Sequence, residues 1–150
     1  MRAERAAAAL LGLAIAACGG ARPAPRIAPG PAPVGVQTTL VQLIISAFEA
    51  DARLDSADSL YAPAATIVSG GRPVLSIPRF AGIEASGQIE VSVNELQVRP
   101  GLAWALVDYS WSRIGIPRTR EGRATVVLAP APTRSGWWII HVHSSVGAGS

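Results

Sequence analysis

Residues 102–113 read Leu-Ala-Trp-Ala-Leu-Val-Asp-Tyr-Ser-Trp-Ser-Arg, an uninterrupted run without glycine or proline that has the composition of a β-strand. Three further strand candidates accompany it, at 89–98, 123–129 and 137–145, and segments rich in turn-forming residues separate the four. In 89–98, apolar residues alternate with polar ones at the start, which predicts one buried and one wetter face. The pattern indicates consecutive antiparallel strands.

Helical patterns precede these strands. The segment Thr38–Ala52 has apolar residues near helical spacing and predicts an amphipathic helix. The shorter elements expected after it are a second helix from Asp55 to the region of Pro63, strands at 65–69 and 72–75 joined by Gly70-Gly71, and a third helix at 78–83. Helices followed by a meander of strands predict an α+β domain in which an antiparallel sheet wraps over N-terminal helices.

The N-terminus has the features of an export signal. Arg2 and Arg5 precede an apolar run, residues 6–17, which is too short to span a bilayer. Ile15-Ala16-Ala17-Cys18-Gly19 resembles the lipobox of bacterial lipoproteins, which implies cleavage before Cys18 and lipidation of its thiol. The alternative is an ordinary signal peptide cleaved near Ala17, which would leave Cys18 as a free thiol. By the first interpretation the protein is lipid-anchored in the cell envelope and faces the periplasm or the exterior.

The composition divides the rest of the chain into a linker and one domain. Residues 18–36 contain five prolines and no apolar periodicity, which predicts a linker, and 37–150 are enough for a single domain. The formal charge of +3 comes from residues before 37, because nine arginines balance nine acids after that point. We therefore expect no nucleic-acid partner. With one cysteine the chain has no disulfide and no thiolate metal site, and we expect no cofactor.

Three segments carry a resemblance to a known family. They are Leu60-Tyr61-Ala62-Pro63-Ala64-Ala65, Leu102-Ala103-Trp104-Ala105, and Trp137-Trp138-Ile139-Ile140-His141-Val142-His143-Ser144-Ser145. In this order they resemble the SnoaL-like branch of the nuclear transport factor 2 superfamily, whose fold is a cone formed by a curved sheet that closes on an N-terminal helix. The last segment also resembles the end of the association domain of calcium/calmodulin-dependent kinases. The resemblance implies the fold and a homodimer, but it leaves the activity open, because the same cone hosts isomerases, dehydratases, transport factors and assembly modules.

The resemblance to the association domain also implies which side chains face the interior of the cone. On 102–113 it turns Ala105, Val107, Tyr109 and Trp111 inward and Asp108 outward, and on 137–145 it turns Trp138, Ile140, Val142 and Ser144 inward. The implied ligand-binding residues are Tyr61, Tyr109, Trp111 and Ser144, around a tapered, mostly apolar pocket for a small apolar molecule. The alternative is that the aromatic side chains simply fill the cone.

Two residues are candidates for catalysis. Enzymes with this fold place an Asp, or a His with an Asp, in the cavity as general base, which makes Asp108 and His143 the residues to examine. His141 and His143 share one strand face with Trp137 and Ile139, but no third metal ligand stands at a diagnostic spacing, so we expect no metal site. Three functions remain open: a non-catalytic ligand-binding lipoprotein, an isomerase-, dehydratase- or cyclase-type enzyme, and an assembly module.

Overall fold

Helix α1 spans Val34–Arg53 and is followed by Leu54 in the left-handed conformation. The computed structural model describes residues 33–133 and 135–147. The helix begins before the expected Thr38 and includes residues 34–36, which the sequence analysis assigned to the predicted linker. The rest of that linker, Cys18 and the export segment lie outside the described residues. Within the described ranges, no helix has the length and apolar character needed to cross a membrane.

Six strands follow the helix: β1 (Tyr61–Ser69), β2 (Arg72–Pro73), β3 (Gly87–Arg99), β4 (Leu102–Arg113), β5 (Thr119–Pro130) and β6 (Trp137–Val146). The Gly70-Gly71 hairpin is confirmed, with both glycines at positive φ. The second predicted helix is only a 3₁₀ turn, Asp58–Leu60, because the chain is already extended at Tyr61. The predicted helix at 78–83 is wrong: the backbone N–H groups of Arg79, Phe80 and Ala81 bond to the side chains of Asp51 and Ser144 and not to helical carbonyl groups.

The six strands form one sheet in the order β2-β1-β6-β5-β4-β3. Strands β3 to β6 make the predicted antiparallel meander. The sheet is nevertheless mixed and not wholly antiparallel, because β1 pairs in parallel with β6, the last strand of the meander. The expected architecture of a curved sheet on an N-terminal helix is confirmed, with a single α-helix in the described part of the chain.

The core lies between α1 and the inner face of the sheet. Leu40, Ile44 and Phe48 of the helix have no exposed surface. The same holds for five apolar residues on the inner face of β4 and β5: Ala103, Ala105, Val107, Val126 and Leu128. Burial alternates residue by residue along β4, as a strand with one buried face requires. The implied orientation of β4 is therefore confirmed.

Strand β6 departs from simple alternation. Leu128 pairs with Ile139 but Val127 pairs with His141, so Ile140 is an extra residue that forms a β-bulge. A bulge reverses the alternation, so Ile139 is buried together with Val142 and Ser144. The expectation that Ile139 shares the face of the histidines, and that Trp138 and Ile140 point inward, is wrong for this reason.

Candidate functional site

The interior of the cone is occupied by its own aromatic side chains. Phe48 and Phe80 stack with ring centroids 3.6 Å apart, and the Tyr109 ring lies 5.0 Å from that of Phe48. The Tyr109 hydroxyl donates a buried hydrogen bond of 2.6 Å to the carbonyl oxygen of Ala81. A Cβ at Gly122, opposite Tyr109 on β5, would collide with this ring. Tyr109 points inward as the resemblance implies, and its hydroxyl is already bonded within the protein to the backbone of Ala81.

Ser144 and Trp111 also face the interior. The Ser144 hydroxyl accepts a 2.9 Å hydrogen bond from the backbone N–H of Ala81. Because Tyr109 bonds to the carbonyl group of the same residue, both backbone polar groups of Ala81 are paired with side chains. Burial is the main reason that the pKa of Tyr109 is raised to about 12. Trp111 is buried against Gly87, and its indole N–H has no hydrogen-bond partner among the described residues.

Tyr61, the fourth implied ligand-binding residue, lies in a buried polar cluster. Its side chain is 7% exposed, and the guanidinium carbon of Arg79 lies 4.4 Å from the ring centroid. Arg79 also forms an ion pair with Asp58. The Tyr61 hydroxyl has no hydrogen-bond partner among the described residues. Burial, and next the charge of Asp51, hold the pKa of Tyr61 above its usual range.

Asp51 is the member of this cluster that the sequence analysis missed. It lies in the last turn of α1 and is 1% exposed. Its Oδ2 accepts the backbone N–H groups of Arg79 and Phe80 at 2.5 and 2.8 Å, whereas Oδ1 has no partner among the described residues. Burial raises the pKa of Asp51 despite these two bonds. The signal was present in the sequence, because Asp51 follows Ile44 and Phe48 at the i+4, i+7 spacing of the buried helix face.

The two catalytic candidates lie on the outer face of the sheet. Asp108 accepts hydrogen bonds from Arg123 Nε at 2.7 Å and from Asn94 Nδ2 at 2.6 Å. These bonds, with that of Arg123 first, lower the pKa of Asp108 and make it a weaker base. His143 is exposed on β6 and pairs with Thr125 of β5. It therefore lies two strands away from Asp108, which is on β4. Neither residue points into the cone.

A depression of about 710 Å³ surrounds Asp108 on this outer face. Its polar lining combines carboxylates, hydroxyls and one guanidinium, from Glu90, Ser92, Asp108, Ser110, Glu121, Arg123 and Ser145. His141 and His143 lie on the same face of β6, as predicted, and this is the outer face. They pair with Val127 and Thr125 of β5. Among the described residues, no three His, Cys, Asp or Glu side chains are placed to hold a metal ion.

Solved structures with the same architecture identify the fold. A ketosteroid isomerase-like protein from Erwinia carotovora atroseptica is 13% identical, with a TM-score of 0.57, over 75% of this chain and 96% of that chain. A nuclear transport factor 2-like protein of unknown function from Shewanella oneidensis MR-1 is 20% identical, with a TM-score of 0.56, over 73% and 98%. The chain has the nuclear transport factor 2-like fold.

A third solved structure has the same fold and a different description. It is a putative calcium/calmodulin-dependent protein kinase type II association domain from Thiobacillus denitrificans, 18% identical with a TM-score of 0.55, and the match covers 78% of this chain and 96% of that chain. No protein-family model and no curated protein matches the sequence.

The nuclear transport factor 2-like cone of this chain also has an apolar set of residues outside its core. Trp104 and Leu106 of β4, Val127 of β5, and Trp138 and Ile140 of β6 are all partly exposed on the outer face. None of the five belongs to the core or packs against it. They are neighbours across three strands, since Trp104 pairs with Val127 and the bulge places Ile140 beside it. We call these five residues the outer apolar patch.

Proposed function

We propose that this protein is a membrane-tethered, non-catalytic module that pairs with a second copy of itself through the outer apolar patch, with a lipid on Cys18 as its anchor. The observation that carries the proposal is the contrast between the two faces of the sheet. The inner face is filled by the Phe48, Phe80 and Tyr109 rings, whereas the outer face leaves two tryptophans and three aliphatic side chains partly open. Apolar side chains of this size favour burial against a partner.

The composition of the outer face suits a homodimer. A stable interface buries about 800 Å² per partner and has an apolar centre with a polar rim. The rim here is polar: Asp108 and Arg123 form an ion pair at one border, and Glu95 and Gln97 are bonded to each other on β3 at another. A two-fold axis through the patch would bring identical apolar surfaces together. The Thiobacillus neighbour, described as an association domain, supports self-association.

Sedimentation equilibrium of the full chain carrying Cys18→Ser tests the pairing without the lipid. We expect a dimer, and we expect Leu106→Asp with Val127→Asp to yield a monomer, because two buried carboxylates without partners would oppose association. Leu75→Asp is the matched control, since Leu75 is fully exposed and lies outside the patch. A Cys18→Ser chain that stays monomeric at every concentration would exclude the dimer.

A second candidate function, an isomerase-type enzyme, is favoured by one specific observation. Asp51 Oδ1 and Tyr61 Oη are both buried, and neither has a hydrogen-bond partner among the described residues. A carboxyl of raised pKa beside a phenol is the chemistry needed to move a proton next to a carbonyl group. For a small apolar molecule to reach these atoms, the stacked Phe48 and Phe80 rings would have to separate.

A ketosteroid assay tests the enzyme candidate, because one structural neighbour is described as ketosteroid isomerase-like. A β,γ-unsaturated 3-ketosteroid is incubated with the protein, and the absorbance of the conjugated enone is followed. Turnover that Asp51→Asn abolishes, while Asp108→Asn leaves it in place, would support an interior site. Absence of turnover in the wild-type chain favours the non-catalytic module.

A further inference from the structure

The connection between β4 and β5 is an exposed turn with an unusual composition. Residues 111–120 contain three arginines, two isoleucines and no acid. The N–H of Ile116 bonds to the carbonyl of Arg113 at 3.1 Å, and Gly115 has a φ of 80°, which only glycine adopts easily. This tight turn places Ile114 and Gly115 at its tip.

The two isoleucines are among the most exposed large apolar side chains of the described residues. Ile114 is 74% exposed and Ile116 is 44% exposed. Isolated aliphatic side chains are common on protein surfaces, but two of them two residues apart on one turn form a small projecting apolar element. The strands that carry the turn extend past the end of β6, which stops at Val146 opposite Gly122. The tip of the turn therefore projects beyond the end of β6, which leaves it able to contact a flat surface.

Basic side chains flank the isoleucines. Arg113 and Arg118 are exposed, and neither forms an ion pair or a side-chain hydrogen bond with another described residue. Arg120 is bonded to Glu84 at 2.6 Å. Glu121 is the next acid along the chain and lies on the outer face. The turn thus combines exposed aliphatic groups with positive charge that no described side chain pairs.

We propose that the β4–β5 turn, residues 113–118, is a membrane-contact element that inserts Ile114 and Ile116 between the headgroups of an anionic bilayer while Arg113 and Arg118 bind lipid phosphates. Aliphatic tips gain free energy by leaving water at the boundary between headgroups and acyl chains. Arginines near an anionic surface each add attraction, and the guanidinium group matches the geometry of a phosphate. Charge complementarity selects the bilayer over an uncharged apolar partner. The contact does not require the lipid on Cys18, so it goes beyond the proposed tether.

Vesicle co-sedimentation of the full chain carrying Cys18→Ser tests the proposal. The vesicles are phosphatidylcholine alone, and phosphatidylcholine with about a third phosphatidylglycerol. We expect tighter binding to the anionic vesicles, and about a fivefold or greater loss for Ile114→Ser with Ile116→Ser and for Arg113→Gln with Arg118→Gln. Because residues 1–32 are identical in every variant, their own contribution cancels in the comparison.

Two matched controls separate the turn from general surface properties. Leu75→Ser removes a fully exposed aliphatic side chain elsewhere, and Arg99→Gln removes an exposed arginine next to the β3–β4 turn. Both controls should bind as the parent chain does. Equal binding by the turn variants and the controls would overturn the proposal, and so would equal binding to the neutral and the anionic vesicles.

A fluorescent label gives a second readout that does not depend on affinity. The Cys18→Ser chain has no other cysteine, so Ile114→Cys introduces a single labelling site for a polarity-sensitive dye. We expect a blue shift of its emission on anionic vesicles and no shift for a label at Leu75→Cys. A label at Ile114→Cys that stays in water when the protein is bound would contradict insertion of the turn.

Discussion

At the scale of single residues, Asp51 is the least expected feature of the fold. A carboxyl in the last turn of a helix faces the negative end of the helix dipole, and here it is also buried. Its Oδ2 compensates by accepting the N–H groups of Arg79 and Phe80, which fixes the loop that carries Phe80 into the cone. The charged form of Asp51 destabilises the fold, because burial of a carboxylate costs far more free energy than burial of the neutral acid.

Replacement of Asp51 by Asn should change how stability depends on pH. Because the pKa of Asp51 is raised above 3.8 in the folded protein, its contribution to stability is complete below that pH and is lost as pH rises through the folded pKa. Asparagine keeps the acceptor but has no charge to bury. In urea denaturation, the stability of Asp51→Asn relative to wild type should rise with pH above 3.8, by at most about 1.4 kcal/mol per pH unit.

The matched control for this experiment is Glu49→Gln, which removes a carboxyl from the exposed side of the same helix. A stability difference between Asp51→Asn and wild type that stays constant from acid to neutral pH would show that burial does not raise the pKa of Asp51.

Residue-scale prediction succeeded where the pattern was local and regular. The resemblance to the association domain implied the inward orientation of Tyr109 and Trp111, and it is confirmed because β4 keeps its alternation without interruption. The helical spacing indicated the burial of Asp51 but not its role, which depends on two N–H groups nearly thirty residues away that leave no mark in the local pattern.

At the scale of secondary-structure elements, the bulge in β6 decides which residues reach the core. The bounds of β4 agree with the sequence prediction, and so does the start of β6, because composition and turn residues define them. The alternation of β6 could not be read from the sequence: nothing in Trp-Trp-Ile-Ile-His marks Ile140 as the extra residue. The parallel partner of β6 was missed for a related reason, since pairing between distant strands is set by the closure of the whole sheet.

The bulge gives opposite expectations for two adjacent isoleucines. Ile139→Ala should lower the free energy of unfolding by about 2–5 kcal/mol, because Ile139 has no exposed surface and its removal leaves a cavity. Ile140→Ala should cost less than about 1 kcal/mol in the monomer, because Ile140 is partly exposed there on the outer face. Both variants are therefore made in the monomeric Leu106→Asp, Val127→Asp background, where the proposed dimer contact does not contribute. Urea denaturation of the two variants, which serve as controls for each other, measures the difference. If Ile140→Ala lost more stability than Ile139→Ala, Ile140 would be the buried residue, as simple alternation predicts, and the bulge would be contradicted.

At the scale of the whole molecule, the distribution of charge matters more than its total. From residue 37 onward arginines and acids balance, yet Arg113 and Arg118, which have no side-chain partner among the described residues, flank one turn. The balanced total is the reason we expect no nucleic-acid partner, but it does not describe the local basic element at the β4–β5 turn. A lipid on Cys18 and the β4–β5 turn would be two separate means of holding the same domain at a membrane.

The lipid on Cys18 can be tested directly in a bacterial host. We expect the full chain to incorporate labelled palmitate and to fractionate with membranes, and we expect Cys18→Ser to lose the label, because the lipid is attached through that thiol. Cleavage at an ordinary signal-peptidase site near Ala17 would instead give a mature protein of unmodified mass whose Cys18 thiol reacts with maleimide. That outcome would remove the tether from the proposed function while leaving the pairing through the outer apolar patch and the β4–β5 turn open to their own tests.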